Sequence, residues 1–92
     1  MTQQTATGQL FLAKVYVLLK PTVNDPQGNT IAAALGSLGF EGVEAVRSGK
    51  FFQLRVRAAD ESAARRQVDQ MAARLLANPV IESYTFEVAP EG

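Results

Sequence analysis

Asp25-Pro26-Gln27-Gly28, Ser48-Gly49-Lys50 and the pair Arg55 and Arg57 are where residue type and spacing could support chemistry in this chain. A carboxylate just ahead of Pro and Gly can gather backbone N–H groups at a helix start. A Gly-Lys turn can meet an anion, and two arginines two apart on a strand face can hold one between them. Each stretch also has a plainer reading. Ser48-Gly49-Lys50 lacks the rest of a phosphate-cradling loop, because Gly42 lies too far upstream and Phe51 stands where a Mg²⁺-holding hydroxyl is required. It reads instead as a tight hairpin, and Asp25 as a helix cap. Arg55 and Arg57, with Lys14 or Lys20 beside them, fit an anion or a neighbouring subunit as well as they fit a solvated face.

Nothing else in the chain supplies reactive groups. The sequence has no His, Cys or Trp, so the commonest general base, the thiol nucleophile and the soft metal ligands are missing. Glu41, Glu44, Asp60, Glu61, Glu82 and Glu87 fall in turns or on solvent-facing positions, and no two are placed for acid–base work. No catalytic residue and no metal site is therefore expected. Any function rests on carboxylates, cations, amides and shape.

Nine cationic and nine anionic side chains cancel, which leaves no net field to draw nucleic acid or an acidic membrane. The longest apolar run, Val15 to Leu19, is far short of the roughly 20 residues that span a bilayer. No basic leader precedes it, and a cytoplasmic location is expected. A chain of 92 residues makes one small domain that buries only about 60–65% of its extended surface. Self-association would add burial that no disulfide or metal can supply.

The elements that must position these residues follow from periodicity. Met1–Gln9 is polar and aperiodic and is expected to be a flexible tail, with a single domain over residues 10–92. Phe11, Ala13, Val15, Val17 and Leu19 alternate against Leu12, Lys14, Tyr16, Leu18 and Lys20, a strand with apolar groups on both faces that Pro21 ends. Ile31, Leu35 and Leu38 form the stripe of a helix begun by Asp25-Pro26 and stopped by Gly39. Val43–Ser48 and Phe51–Ala58 read as two strands joined at Ser48-Gly49-Lys50. Asp60 caps a second helix with Ala64, Val68, Met71 and Leu75 on one stripe, ended by Asn78-Pro79, and Val80–Val88 is the last strand. The expected fold is α+β, a βαββαβ two-layer sandwich of ferredoxin-like order, with an antiparallel sheet and two helices on one face.

Several families share that order. An RNA-recognition domain wants stacking rings where Gln53, Arg55 and Arg57 stand, and an acylphosphatase wants an Arg that Pro21–Gly28 lacks. Gly36-Ser37-Leu38-Gly39 matches the letters of an RNA-clamping GXXG loop without a basic residue, so it reads as a helix stop. Lys14–Lys20, Val23–Gly28, Val46–Lys50 and Leu76–Tyr84, in this order and spacing, resemble the PurS family, the small subunits of phosphoribosylformylglycinamidine synthase. The resemblance covers about residues 11–89. Gln53 departs from it, standing where the family often carries Glu.

The resemblance implies a subunit without catalysis of its own, essential to a glutamine-dependent carbon–nitrogen ligase of de novo purine biosynthesis. In that complex a glutaminase subunit (PurQ) releases ammonia, and an ATP-dependent synthetase subunit (PurL) uses it to convert formylglycinamide ribonucleotide to formylglycinamidine ribonucleotide. The small subunit bridges them and assists ammonia transfer. ATP, Mg²⁺ and glutamine are then used by the complex, with no cofactor bound by this chain alone. Asp25, Gln27, Gly28, Arg47, Lys50 and Asn78 become the candidates for partner contact. A homodimer or homotetramer is expected, with Leu12, Tyr16, Leu18, Tyr84 and Phe86 as interface candidates. The alternative is an ACT-like regulatory domain, which has the same order and binds an amino acid between subunits.

Overall fold

Alternation along one strand organises the molecule. A computed structural model describes residues 8–91. Strand β1 (Gln9–Leu19) buries Phe11, Ala13, Val15 and Val17 and turns Tyr16 and Leu18 to the other face. It lies in the middle of a three-stranded antiparallel sheet of order β2-β1-β3, with β2 (Gly49–Ala58) and β3 (Glu82–Pro90) on its flanks. Pairing runs from Gln9 opposite Ala58 to Leu18 opposite Gly49 on one side, and from Phe11 opposite Pro90 to Leu19 opposite Glu82 on the other. A central strand needs apolar groups on both faces more than an edge strand does, as the sequence anticipated.

Helix α2 (Glu61–Met71) covers one face of this sheet. Asp60 caps it by accepting from the N–H of Ala63 at 2.8 Å, and Ala64 and Val68 are its buried residues. A π-helical turn follows over Ala72–Leu76, closed by the N–H of Ala77 donating to the carbonyl of Ala72 at 2.9 Å. This wider turn changes which residues meet the sheet. Leu76 packs against the core, whereas Leu75 is 82% exposed and Met71 37%. The expected stripe therefore holds at Ala64 and Val68 and fails at Met71 and Leu75.

Helix α1 (Pro26–Ser37) does not pack on the sheet. It begins at Asp25 and ends where Gly39 takes a φ of +97°, with the N–H of Phe40 closing on the carbonyl of Leu35. Val43–Ser48, expected as a strand, has no regular structure. Strand β2 starts at Gly49, so the tight hairpin at Ser48-Gly49-Lys50 is not formed and the sheet has three strands. Residues 20–48 instead make one long connection between the paired ends Leu18 and Gly49. The α+β class with an antiparallel sheet and two helices stands; of the two helices, only α2 forms the second layer. Of the expected tail Met1–Gln9, residues 1–7 lie outside the described residues, and Gln9 already pairs as the first residue of β1.

Candidate docking site

The base of the long connection is built around one carboxylate. Asp25 is 2% exposed. Its Oδ1 accepts from the N–H of Gly28 at 2.9 Å, and its Oδ2 from the N–H of Ser48 at 2.6 Å. The Ser48 hydroxyl donates to the same carboxylate, 2.9 Å from Oδ1. Helix start and strand approach are thus tied by a single side chain. Hydrogen bonds from Gly28 and then Ser48, with Arg47 nearby, hold the Asp25 carboxyl below its ordinary value of 3.8 against the opposing effect of burial. Gly28 is required at this point, since a Cβ there would collide with the Val46 carbonyl oxygen and the Asp25 carboxylate.

Arg47 secures the other side. Its Nη2 donates to the carbonyls of Leu19, Lys20 and Val23, at 3.3, 2.9 and 3.1 Å. A guanidinium so engaged is a brace for the turn after β1. Replacing it with Met (Arg47→Met) is expected to speed amide exchange across residues 20–25, with β2 and α2 unchanged; hydrogen exchange read by mass spectrometry checks this.

Lys50 and Asn78 meet through Glu82. Lys50 Nζ lies 3.4 Å from Glu82 Oε2 and donates to the Leu76 carbonyl at 3.2 Å. Glu82 Oε1 also accepts from the N–H of Asn78 at 2.7 Å, and Asn78 Oδ1 accepts from the N–H of Val80. The turn after α2 is thereby fastened to the start of β2. Between these features lies an open groove of about 420 Å³ lined by Leu19, Asp25, Pro26, Gln27, Ser48, Gly49, Lys50 and Glu82.

The structure thus gathers the six candidates for partner contact at one end of the sheet. Asp25 caps α1 as its place before Pro26 led one to expect. Asp25 and Arg47 are fasteners, and the Gln27 side chain is exposed on the groove rim. Ser48 and Glu82, absent from the candidates, complete the network. Their signal was weak: a Ser ahead of a Gly and a Glu four residues after Asn have many ordinary uses.

The five interface candidates do not share a surface. Tyr84 and Phe86 stand opposite Val17 and Val15, on the face that α2 covers, with the Tyr84 hydroxyl on Asp69 at 2.6 Å and the Arg65 guanidinium over the Phe86 ring. Leu12, Tyr16 and Leu18 lie on the open face, where Tyr16 meets Phe51 at a ring distance of 5.3 Å. Arg55 and Arg57 share that open face but form no anion clamp: Arg55 pairs with Glu91 at 2.9 Å and Arg57 donates to the Gly8 carbonyl.

Among the described residues no three acidic side chains converge as metal ligands, and no helix is long and apolar enough to cross a membrane. The fold and this tied, open groove define a small α+β domain with a three-stranded antiparallel sheet, one covering helix and a shaped surface at one end of the sheet. The chain belongs to the PurS family: the family model described as phosphoribosylformylglycinamidine (FGAM) synthase matches residues 12–90. The PurS subunit of Synechocystis is 47% identical over 75 residues, spanning 82% of this chain and 75% of that one. The solved PurS of Thermus thermophilus superposes with a TM-score of 0.82 at 34% identity, over 90% of this chain and 99% of that one. A chain of the PurLQS structure from Thermotoga maritima gives 0.78 at 34%, over 89% and 98%. This agreement over nearly the whole chain disfavours the ACT-like reading.

Proposed function

We propose that this chain is the bridging subunit of a cytoplasmic phosphoribosylformylglycinamidine synthase, joining a glutaminase (PurQ) to a synthetase (PurL). The supporting observation is the groove end of the sheet, where the buried charge of Asp25 and the braces Arg47, Lys50 and Glu82 hold a surface in fixed shape without a reactive group. A surface set in advance loses little ordering entropy when a partner docks. Ammonia is neutral, small and readily protonated in water. Holding the two active sites together and excluding water between them keeps it reactive on its way from glutaminase to synthetase. ATP, Mg²⁺ and glutamine are bound by the larger subunits. The chain enters the complex as a homodimer or homotetramer.

Omission tests this reading. With both larger subunits, ATP, Mg²⁺ and glutamine present, adding this chain should be necessary for glutamine-dependent product formation. High concentrations of ammonium salt should rescue the synthetase without it. Full glutamine-dependent activity from the two larger subunits alone would overturn the bridging role.

A further inference from the structure

Outside the arm of residues 20–48 that carries α1, the most exposed large apolar side chains are Leu75, at 82%, and Val80, at 76%. Leu75 stands in the π turn that ends α2, while its neighbour Leu76 packs against the core. The sequence points the other way. Leu75 follows Val68 by seven residues, close to two full turns, so an unbroken α-helix would aim Leu75 at the sheet. The bond from the Ala77 N–H to the Ala72 carbonyl spans five residues and widens the turn. Leu76 then arrives, one residue later, at the place Leu75 would have taken.

Nothing local asks for this. Ala72-Ala73-Arg74-Leu75-Leu76 contains no Gly or Pro, and every residue in it is a strong α-helix former. The wider turn is held from outside the helix. Lys50 Nζ donates to the Leu76 carbonyl at 3.2 Å, and Glu82 accepts from the N–H of Asn78 just beyond it at 2.7 Å. Resetting the turn to α rotates the Leu76 carbonyl away from Lys50, puts one leucine in the core in place of the other, and is taken up at Ala77, whose backbone is already extended. Local preference and tertiary hold are thus opposed within five residues, the kind of conflict that marks working parts of a fold.

We infer that the last turn of α2 is a one-residue register switch, π with Leu76 inward and α with Leu75 inward, and that Lys50 holds it in the π state. A leucine replaces a leucine, so buried volume is conserved and the two registers differ little in packing. Lys50 also lines the groove, with its side chain half exposed. A carboxylate on a docked subunit that takes the Lys50 ammonium from the Leu76 carbonyl binds the α register better than the π register. Docking at the groove then changes which leucine the end of α2 presents. The switch stands apart from the proposed function; only its use by a docked subunit rests on that reading.

A mutant cycle in the full-length chain, read by urea unfolding at one fixed chain concentration, tests the switch. In a turn fixed as π, Leu75 stays in solvent and its removal costs the same with or without Leu76. In a switch, Leu75 takes the core place that Leu76→Ala empties. Leu75→Ala should therefore raise the unfolding equilibrium constant about threefold or less in the wild type and about tenfold or more in the Leu76→Ala background. It should also cost more in Lys50→Met, which removes the ammonium and keeps the stem, than in the wild type. If Leu76→Ala does not fold, the milder Leu76→Val completes the cycle with the same inequality. Equal factors in all backgrounds overturn the switch. A larger factor with Leu76→Ala but none with Lys50→Met overturns Lys50 as its holder. These measurements need no partner, so they and the omission experiment can fail separately.

Discussion

Phe11→Ala is expected to lower the unfolding free energy by about 3–5 kcal/mol, the range for emptying a fully buried aromatic site. Phe11 is 1% exposed in the central strand, opposite Val56 on one side and Pro90 on the other, and belongs to the core that Ala64 and Val68 of α2 close. Small domains have only about 5–15 kcal/mol in all, so this one side chain carries a large share. Urea unfolding followed by far-ultraviolet circular dichroism checks it, with chain concentration held fixed because association adds apparent stability. The neighbouring residue is the control. Leu12 points to the opposite face and is only partly covered, so Leu12→Ala should shift the midpoint far less. Equal losses at the two positions would mean that the open face is as well packed as the core, contrary to the pattern along β1.

The sheet was legible because period-two patterning speaks directly of which face is buried. Phe11, Val15 and Val17 of β1 occupy the core that alternation assigned them, and Val56 and Val88 are buried beside them. The caps were legible for a similar reason: Asp25 and Asp60 each precede a helix and accept from an N–H three residues on. Residues 38–48 were not. Val43, Val46 and their neighbours have strand-like side chains, but a strand needs an edge to pair with, and the arm carries this segment beyond reach of its own sheet. The π turn was equally hidden, since one residue's shift in helical register leaves no mark on composition. The site was legible in membership more than in role. Arg47 and Lys50 entered as candidates for partner contact, and backbone carbonyls that no sequence pattern displays hold both of them.

Acid should release the arm before it unfolds the sheet. The Asp25 carboxyl is held below its ordinary value, first by the Gly28 N–H and then by the Ser48 N–H. The folded chain therefore takes up this proton less readily than the unfolded chain. Linkage fixes the sign: the contribution is fully present above the ordinary value of 3.8 and is lost as pH falls below it and through the folded value. Protonation puts a hydrogen on an oxygen that now only accepts, so the bonds to Gly28 and Ser48 weaken together. Strands β1 and β2 keep their ladder, because Asp25 touches neither beyond Ser48 at the mouth of β2. In hydrogen exchange, protection of the α1 amides should fall with acidification below about pH 4 while β1 amides stay protected, after correction for the intrinsic pH dependence of exchange. Asp25→Asn keeps the shape and removes the titration. Its α1 should be less protected at neutral pH and nearly insensitive to acid over the same window. Identical acid profiles for the wild type and Asp25→Asn would assign the release to other carboxylates and remove Asp25 as the fastener of the arm.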